Sequence, residues 1–411
     1  MPRSKQARWL SLVGVSTILC GMATASFAQT SVTVRTASEL MNAVSSANSA
    51  GGNRIINVAD GTYTLTDTLY VNASNITVQG ESAKREAVII QGDAMSSTAR
   101  VGSLFRVAGS NFKLQDVTLQ RAGWHTIQIV GEANADSPTI RNCILRDAYQ
   151  QLVKVSNDPS NPTVVSDNGL VENCLFEYTA GIGPQYYIGG IDAHSARGWT
   201  VRNNVFRDIA SPNSSVAEFA IHFWDKSANN LVERNQIIDC DRGIGFGLQD
   251  KPNDGGIIRN NMIYHSANGD PFADAGIALA DSPNSQVYNN TIYQEHSFQW
   301  ALEYRFAATT STLIVNNLTN KPVMARDGAT GTAGNNVANA ASSLFTQVSS
   351  GNLHLVKSSS GVTDSGRTVS GLTNDFDGNA RPQGSGIDIG ADELAGAAQA
   401  VPKPPTNVQA N

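Results

Sequence analysis

Three short segments of the sequence combine groups that transfer protons with a group that binds flat apolar surfaces. Lys154 is the middle residue of VKV, Asp192 and His194 lie in IDAH, and His222 and Trp224 lie in IHFW. An imidazole or an amine exchanges protons, a carboxylate balances a cation, and an indole packs on apolar ligand faces. Because these residues alternate with apolar ones, we expect each segment to be a strand that presents its polar residues on one face.

The same alternation recurs along the chain, so the polar residues can be arranged in rows. Seven segments show it, namely IQI, VKV, IDA, IHF, IGF, IAL and LEY. Stacked in register, they give one outward row of Gln128, Lys154, Asp192, His222, Gly245, Ala278 and Glu303, and a second of Val130, Ser156, His194, Trp224, Gly247, Ala280 and Arg305. Neighbours in a row are then about 5 Å apart. Lys154, Asp192, His194, His222 and Trp224 are therefore expected to form one patch, which we call the central cluster.

Stacking of this kind requires a repeat, and the sequence contains one. Seven related phrases occur, namely IRNCIL, VENCLF, VRNNVF, VERNQI, IRNNMI, VYNNTI and IVNNLT. Their fourth residues lie 26 to 31 residues apart and are Cys143, Cys174, Asn204, Asn235, Asn261, Asn290 and Asn317. An interval of this length suits one coil of a solenoid.

The fourth residue of each phrase is expected to mark a corner between strands. Asn tolerates left-handed backbone angles, and stacked Asn side chains can donate hydrogen bonds to one another, so an internal Asn ladder is predicted. Cys143 and Cys174 occupy the same position in adjacent coils. They are interpreted as small buried residues for which a disulfide is not required, and Cys240 as a buried thiol.

The two ends of the sequence predict a leader, a cap and a tail. Residues 1–28 have a basic start, an apolar run and a small-x-small cleavage signal, which predict a signal peptide and a secreted or periplasmic protein. The TASE segment at residues 36–39 is a capping box that predicts a short helix over the end of the core. We expect one domain over residues 29–393, closed by an irregular loop from Asn374, and a disordered tail over residues 394–411.

Charge and composition disfavour several kinds of partner. The net charge is −6, and loss of three basic residues with the leader makes it −9, which argues against nucleic-acid binding. No later apolar run approaches the roughly 20 residues that cross a bilayer, so no membrane partner is expected. Three cysteines after the leader are too few for a disulfide scaffold. We expect a monomer whose core comes from packing.

The stacked phrases, the capping helix and the leader together resemble the right-handed parallel β-helix, or pectin-lyase-like, superfamily of exported bacterial proteins. The resemblance covers about residues 32–393, and the closing GSGIDIGADE segment is similar to the end of many such proteins. It implies an all-β fold, a right-handed parallel β-helix with a short N-terminal capping helix. It is less specific for activity, because the superfamily includes lyases, glycoside hydrolases, esterases, epimerases and phage tailspikes.

Within that superfamily, the central cluster favours a polysaccharide lyase that cleaves a uronate-containing glycan by β-elimination. Lys154, Asp192, His194 and His222 are the expected catalytic residues, with His222, His194 or Lys154 as the base. The expected substrate-binding residues are Trp224, Arg305, Glu303 and Tyr187. Tyr186, Tyr187, Glu218, Asp225 and Lys226 are expected as walls, and Gly245 and Gly247 as an open shelf. The uronate carboxylate would be neutralised by Lys154 or Arg305, or by a Ca²⁺ ion held by Asp192 and Glu303; no resident metal or other cofactor is assigned.

Two alternatives remain open from the sequence. An inverting glycoside hydrolase needs two separated carboxylates, which Asp192, Asp225 and Glu218 would have to supply. A glycan-binding or structural β-helix would have no activity. The NTD, DD, GHG and RIK motifs of polygalacturonases do not occur in order, and the Arg-x-Pro-x-x-Arg segment of pectate lyases does not occur. Arg305 and Arg326 either bind substrate or pair with Glu303 and Asp327, and Trp124, Trp199 and Trp300 are interpreted as packing at strand ends.

Overall fold

Three long parallel sheets run along the molecule, and each complete coil contributes one strand to each sheet, while the first sheet has one extra strand at either end. The computed structural model describes residues 29–215, 218–267 and 271–394. The predicted right-handed parallel β-helix is confirmed. The predicted signal peptide and the predicted tail from residue 395 onward lie outside the described residues. Of the helices in the described part of the chain, none has the length and apolar character to cross a membrane.

The strands of the three sheets are as follows. Sheet 1 contains Thr30–Val34, Arg54–Val58, Ile76–Gly80, Lys113–Gln115, Thr139–Arg141, Leu170–Glu172, Thr200–Arg202, Leu231–Glu233, Ile257–Arg259, Gln286–Tyr288, Thr312–Val315 and Gly331–Gly334. Sheet 2 contains Gly61–Thr64, Val88–Gln91, Thr118–Ala122, Ile144–Ala148, Leu175–Glu177, Val205–Arg207, Gln236–Ile238, Met262–His265, Thr291–Gln294 and Leu318–Thr319. Sheet 3 contains Leu69–Val71, Phe105–Val107, Ile127–Val130, Gln151–Ser156, Gly189–His194, Ile221–Trp224, Ile244–Phe246, Ile277–Ala280, Leu302–Arg305 and Val323–Arg326.

Two smaller sheets, one α-helix and three short 3₁₀-helices complete the regular structure of the described residues; the 3₁₀-helices span Gly131–Ala133, Ser342–Leu344 and Val348–Ser350. A four-stranded parallel sheet contains Ser166–Asp167, Ala196–Arg197, Ser227–Ala228 and Asn253–Asp254, and an antiparallel pair joins Phe345–Gln347 to Asn352–Leu355. The helix spans Ala37–Ser49, where the Thr36 hydroxyl accepts a hydrogen bond from the Glu39 amide. It buries Leu40, Val44 and Ala47 against the solenoid core, so the predicted capping helix is present.

Buried aliphatic residues stack at the same position of successive coils. The first residues of the seven phrases are fully buried, and they are Ile140, Val171, Val201, Val232, Ile258, Val287 and Ile314. The phrases therefore align as the repeat predicts, because a shift of one residue would turn every apolar side chain towards solvent.

The predicted Asn ladder runs through the interior of the solenoid. Each Asn side chain donates to the Oδ1 of the next at 2.9 to 3.0 Å, in the order Asn204, Asn235, Asn261, Asn290, Asn317 and Asn336. The backbone N–H of Cys174 joins the ladder by donating to Asn204 Oδ1. Cys143, Cys174 and Cys240 are buried free thiols. Asn336 extends the ladder by one coil beyond the last phrase found in the sequence.

The left-handed residue at each corner is the one before the ladder position, which corrects the sequence interpretation. These residues have φ angles of 48° to 58° and are Asn142, Asn173, Asn203, Arg234, Asn260, Asn289 and Asn316. The ladder Asn itself is absent from the positive-φ residues, since its role is to fill the interior. In an Asn-Asn pair, the first residue therefore turns the chain and the second bonds along the core.

The closing segment packs along the side of the solenoid instead of over its end. Asn260, Asn289 and Asn316 donate side-chain hydrogen bonds to carbonyl groups of Asn374, Asp388 and Arg367 respectively. The left-handed corner residues thus hold this segment, which we call the strap (residues 367–394), against successive coils. A fully buried ion pair between Arg381 and Glu393, at 2.6 Å, fixes the fold of the strap itself.

We predict that Asn261→Ala lowers the free energy of unfolding by about 4 kcal/mol. The substitution leaves the buried backbone N–H and one buried side-chain N–H of Asn235 without their acceptor, and Asn290 Oδ1 keeps only its bond from the backbone N–H of residue 261. Each donor left without a partner costs about 1–3 kcal/mol. Asn336→Ala is the matched control, because Asn336 is the last, partly exposed residue of the ladder and water can take over its hydrogen bond with Asn317. We expect this variant to lower the free energy of unfolding by about 1 kcal/mol. Chemical denaturation followed by circular dichroism measures both. Equal losses would contradict a cooperative internal ladder.

A second prediction concerns Asp392 in the strap. Burial raises the pKa of this carboxyl to about 6, although the charge of His354 partly opposes the shift. This pKa lies above the value of about 4 that the carboxyl has in the unfolded chain, so the folded state favours the protonated form. The stabilisation from that protonated carboxyl is complete below about pH 4 and is lost as the pH rises through about 6. Asp392→Asn should remove this loss and leave the protein about 2 kcal/mol more stable than wild type at neutral pH.

Denaturation curves between about pH 4 and pH 8 test that prediction. The surface variant Asp60→Asn serves as the control and should follow the wild-type profile. Parallel profiles for wild type and Asp392→Asn would show that the buried carboxyl does not control the stability of the strap.

Candidate functional site

Sheet 3 has the register that the sequence predicts. Direct pairing of neighbouring strands places Gln128 beside Lys154, then Asp192, His222, Gly245, Ala278 and Glu303. In the second row, His194 pairs with Trp224 and Ala280 pairs with Arg305. The outward face therefore brings the five residues of the central cluster together.

Asp192 is the buried centre of the cluster, with 0% of its surface exposed. Lys154 Nζ donates to its Oδ2 at 2.5 Å, and the Trp224 indole N–H donates to its Oδ1 at 2.6 Å. Burial alone would raise the pKa of Asp192. The hydrogen bond and charge of His194 together with the charge of Lys154 outweigh burial and hold the pKa well below its usual range. Asp192 is therefore an anion that orients Lys154 and Trp224.

Lys154 and His194 form a pair of basic groups at the surface of the cluster. Lys154 Nζ lies 2.7 Å from His194 Nε2, so one proton lies between the two nitrogens. On its other side, His194 Nδ1 lies 3.2 Å from Asn157 Oδ1 and 3.8 Å from Asp225 Oδ2. The two side chains are 12% and 17% exposed, so both are accessible to a ligand while carboxylates lie behind them.

His222 lies beneath this pair and has no free ring nitrogen. Its Nδ1 lies 3.1 Å from Glu218 Oε2, and its Nε2 lies 3.1 Å from the carbonyl oxygen of Gly247. The carbonyl can only accept, so Nε2 carries a proton, and Nδ1 and Glu218 share another. The ring is 1% exposed and stacks on Trp224 at an interplanar angle of 4°. This geometry makes His222 a support for Trp224.

Trp224 connects the parts of the cluster. Its ring packs face to face on His222, with centroids 5.2 Å apart, and edge-on against His194, with centroids 4.3 Å apart. With the indole N–H held by Asp192, the ring is fixed by His222 on one face, by the contact with His194 and at its polar edge. The central cluster is thus preorganised by contacts among its own residues.

Tyr187 is the wall residue whose ionisation is most affected by the cluster. Burial raises the pKa of its phenol to about 12, and the negative charges of Asp192 and Glu218 add to the shift. The hydroxyl therefore remains protonated over the physiological range and is a hydrogen-bond donor at the site. Tyr186 beside it is exposed, as is Lys226.

The predicted open shelf beside His222 is covered, which corrects the sequence interpretation. A Cβ atom on Gly245 would lie 2.6 Å from the ring of Phe219, so that ring rests directly on the Gly245 backbone. Phe219 also packs against Ala278, and the guanidinium of Arg242 lies 3.8 Å from its ring centroid. The small residues make room for an aromatic side chain of the preceding loop, not for a ligand.

Gly247 has a conformational reason to be glycine. Its φ is 74°, and a Cβ atom there would lie 1.9 Å from the carbonyl oxygen of Ala280. The residue therefore turns the chain so that its own carbonyl accepts from His222.

Glu303 and Arg305 are not part of the central cluster. Glu303 lies three strands beyond His222, or about 14 Å along the row. Arg326 Nη1 donates to Glu303 Oε2 at 2.5 Å, and Arg305 Nη2 lies 2.7 Å from Asp327 Oδ2. Of the two alternatives left open for Arg305 and Arg326, the structure shows pairing with Glu303 and Asp327.

The register also excludes the Ca²⁺ ion suggested for Asp192 and Glu303, because these residues are four strands, or about 19 Å, apart. Among the described residues, two other groups bring three ligand atoms within 4.8 Å of one another, Asp192–Glu218–His222 and His354–Asp377–Asp392. The first does not fit Ca²⁺, which prefers six to eight oxygen ligands, since Lys154 and Trp224 already occupy both oxygens of Asp192.

Sequence reasoning missed the residues that support the cluster from outside the strands. Asn157 contacts His194 and donates to Asp225, while Lys251 Nζ lies 3.3 Å from Asp225 Oδ2. Phe219 was also missed. All three lie in connecting segments, where the repeat fixes no register, so the alternation of polar and apolar residues carries no signal for them.

Comparison with known proteins identifies the family to which this fold belongs. The family model for the right handed beta helix region matches residues 166–380, just over half of the chain. No curated protein matches the sequence. Among solved structures, pectate lyase Pel9A is similar with a TM-score of 0.51 and 16% identity, over 85% of this chain and 90% of that one. At this identity the likeness is one of fold.

Two further solved structures are similar at lower scores. The A-module of mannuronan C-5 epimerase AlgE6 from Azotobacter vinelandii has a TM-score of 0.42 and 13% identity, over 72% of this chain and 95% of that one. An alginate lyase from Paenibacillus sp. str. FPU-7 has a TM-score of 0.40 and 12% identity, over 75% of this chain and 99% of that one.

The geometry of Asp192 predicts a strong dependence of stability on Lys154. Lys154→Met removes the nearer of the two basic groups that face a fully buried carboxylate, leaving only His194 at 3.7 Å, and should lower the free energy of unfolding by about 3–5 kcal/mol. The double variant Lys154→Met with Asp192→Asn removes the buried charge and should recover most of the loss. Lys251→Met breaks a more exposed pair with Asp225 and should cost less than about 1 kcal/mol. Urea denaturation of the four proteins tests this, and a double variant no more stable than Lys154→Met would refute it.

Proposed function

This chain belongs to the family of right-handed β-helix proteins, and from that premise we propose that it is a polysaccharide lyase acting on a uronate-containing glycan. The observation that carries the proposal is the Lys154–His194 pair, with nitrogens 2.7 Å apart on the outward face of sheet 3. β-Elimination needs a base beside the carbon that bears the carboxylate, and a positive charge near that carboxylate. Lys154 and His194 together supply the base and the positive charge.

The pair suits a base because two carboxylates balance its charge. At rest, Lys154 and His194 share a proton and carry one positive charge between them. Accepting a second proton makes both groups cationic, and Asp192 at 2.5 Å and Asp225 at 3.8 Å stabilise that state. Since the pair becomes more positive as the substrate becomes more negative, it also stabilises the charge that develops on the uronate carboxylate.

The elimination balances as follows. The C–H bond α to the carboxylate breaks, and its proton moves to the Lys154–His194 pair. The electron pair forms a double bond to the β carbon, whose bond to the glycosidic oxygen breaks, and that oxygen leaves with its electrons and takes up a proton. The Tyr187 hydroxyl, which stays protonated because its pKa is raised to about 12, is the proposed donor for the leaving oxygen.

His222 and Trp224 have positioning and binding roles in this proposal. His222 is only 1% exposed, whereas the side chains of Lys154 and His194 are 12% and 17% exposed, so His222 holds Trp224 in place and is not the base. Trp224 offers the edge of a fixed indole to the apolar face of a sugar ring beside Lys154.

Hydrolysis on the same face is less well supported. A hydrolase needs a carboxyl group that donates a proton, and Asp192 is a poor donor because its pKa is held low and both oxygens accept hydrogen bonds. Glu218 is bonded to His222, and Asp225 is shared by Lys251 and Asn157. The remaining alternative is a protein that binds a glycan and forms no product.

The test incubates the protein with alginate, pectate, glycosaminoglycans and neutral glycans. Ultraviolet absorbance reports the unsaturated ends of β-elimination, and a reducing-sugar assay reports all cleavage. We expect unsaturated product from at least one acidic glycan, and Lys154→Arg and His194→Gln should each lower kcat by about 10²- to 10⁴-fold. The exposed variant Lys357→Gln, which removes one positive charge outside the cluster, should retain wild-type activity.

The alternative outcomes separate the classes of protein. Reducing ends without ultraviolet absorbance would indicate a hydrolase, and binding without either signal would indicate a glycan-binding protein. Full activity in both Lys154→Arg and His194→Gln would remove the pair from the mechanism. Circular dichroism of each variant ensures that lost activity does not reflect lost fold.

A further inference from the structure

A groove lies on the outward face of sheet 3, on the N-terminal side of the central cluster. Tyr70, Arg106 and Gln128 are direct partners on neighbouring strands, and Gln128 pairs in turn with Lys154. Together with Trp124 and Arg100 they line a cavity of about 390 Å³. The groove is therefore a continuation of the same row that carries Lys154 and Asp192.

Two aromatic side chains of the groove are exposed. Tyr70 is 46% exposed and Trp124 is 52% exposed, so the expectation that Trp124 packs as a strand-end residue is wrong. By contrast, Trp199 is buried as expected. A Cβ atom on Gly102 would lie 2.9 Å from the Trp124 ring, so one face of that ring rests on the Gly102 backbone. The ring is thereby held while much of its surface remains available to a ligand.

The groove also contains two guanidinium groups, those of Arg100 and Arg106, that form no close ion pair with any described residue. Within the described part of the chain, no carboxylate lies within 4 Å of the guanidinium group of Arg106 or Arg100, whereas Arg305 and Arg326 on the same face are both paired. The Asp93 carboxylate accepts from the Arg100 backbone N–H at 3.1 Å, so Arg106 is the cation with the freer charge. Asp67 also lines the groove, and its carboxylate accepts from the Thr68 amide at 2.7 Å. Because the net charge of the whole chain is −6, two unpaired guanidinium groups beside exposed aromatics favour an anionic ligand at this place.

The distance between the groove and the cluster suits a single extended ligand. Arg106 lies two strands from Lys154, which is about 10 Å along the solenoid axis. On the other side of the cluster, Phe219 covers Gly245 and packs on Ala278. A chain that reaches Lys154 therefore has a lined path towards Arg106 and a covered surface in the opposite direction.

We propose that this groove binds the neighbouring acidic residues of a linear polyanionic glycan. The Arg106 guanidinium receives a sugar carboxylate, and Trp124 and Tyr70 pack on the apolar faces of the sugar rings. The glycan then lies along the solenoid axis, extending from Lys154 towards the N-terminal coils. The assignment of this ligand class rests on the proposed function, but binding in the groove can be measured without turnover.

Isothermal titration calorimetry with oligouronates of increasing length tests the proposal. The oligomers are prepared from pectate and from alginate, and uncharged oligosaccharides of matched length serve as the neutral comparison. Arg106→Gln should weaken binding of the longer oligouronates about 10- to 100-fold, and Trp124→Ala should also weaken it. The shortest oligomers and the neutral ones should show little change. Arg367→Gln, which removes an exposed charge on the strap, is the matched control and should bind as wild type.

The outcomes distinguish the groove from the chemistry. Weaker binding by Arg106→Gln without any unsaturated product in wild type would support the groove and refute the lyase. Unsaturated product with the same KM for long oligomers in wild type and Arg106→Gln would refute the groove and support the lyase. Equal binding of all lengths by wild type, Arg106→Gln and Trp124→Ala, or no oligouronate binding by wild type, would also overturn the proposal.

Discussion

The hydrogen bonds that join each coil to the next constrain everything else in this molecule. Backbone pairing in three sheets sets the rise per coil, and the ladder from Asn204 to Asn336 repeats that rise inside the core. Because the side chain of each ladder Asn both accepts and donates, a coil shifted by one residue would leave buried polar groups without partners. Register along sheet 3 follows directly, and with it the alignment of Lys154, Asp192 and His222, which belong to three different coils.

The central cluster shows how such a rigid sheet accommodates charge. Buried Asp192 is stabilised by a cation and an indole N–H, and the second carboxylate, Asp225, lies behind His194. A buried charge of this kind contributes little net stability, since removing it from water offsets the gain from pairing. Its effect is instead on geometry: Lys154, His194 and Trp224 each have one orientation. The hydrogen bonds of His222 to Glu218 and to the Gly247 carbonyl, both 3.1 Å long, are likewise made within the protein and need no ligand.

The sequence predicts the parts of this structure that repeat. The phrases around Asn204 to Asn317 and the alternation in sheet 3 are enough to place Lys154 beside Asp192, because every coil obeys the same period. The prediction fails where the period stops. Phe219 comes from a loop and covers Gly245, and Asn157 reaches His194 from beyond a strand end. Within the phrases, two adjacent Asn residues look alike in the sequence, and only the backbone conformation shows which one turns the chain.

The strap affects how the C-terminal end of the solenoid unfolds. In a solenoid, each coil contacts mainly its two neighbours, so coils at an end tend to unfold one at a time. The strap accepts hydrogen bonds from Asn260, Asn289 and Asn316, which belong to three successive coils. The buried Arg381–Glu393 ion pair joins two parts of the strap to each other. Opening the outermost of these coils therefore requires release of a segment that also holds the inner two. We therefore expect the C-terminal coils to open as one cooperative unit, with little fraying from the free end of the sheets.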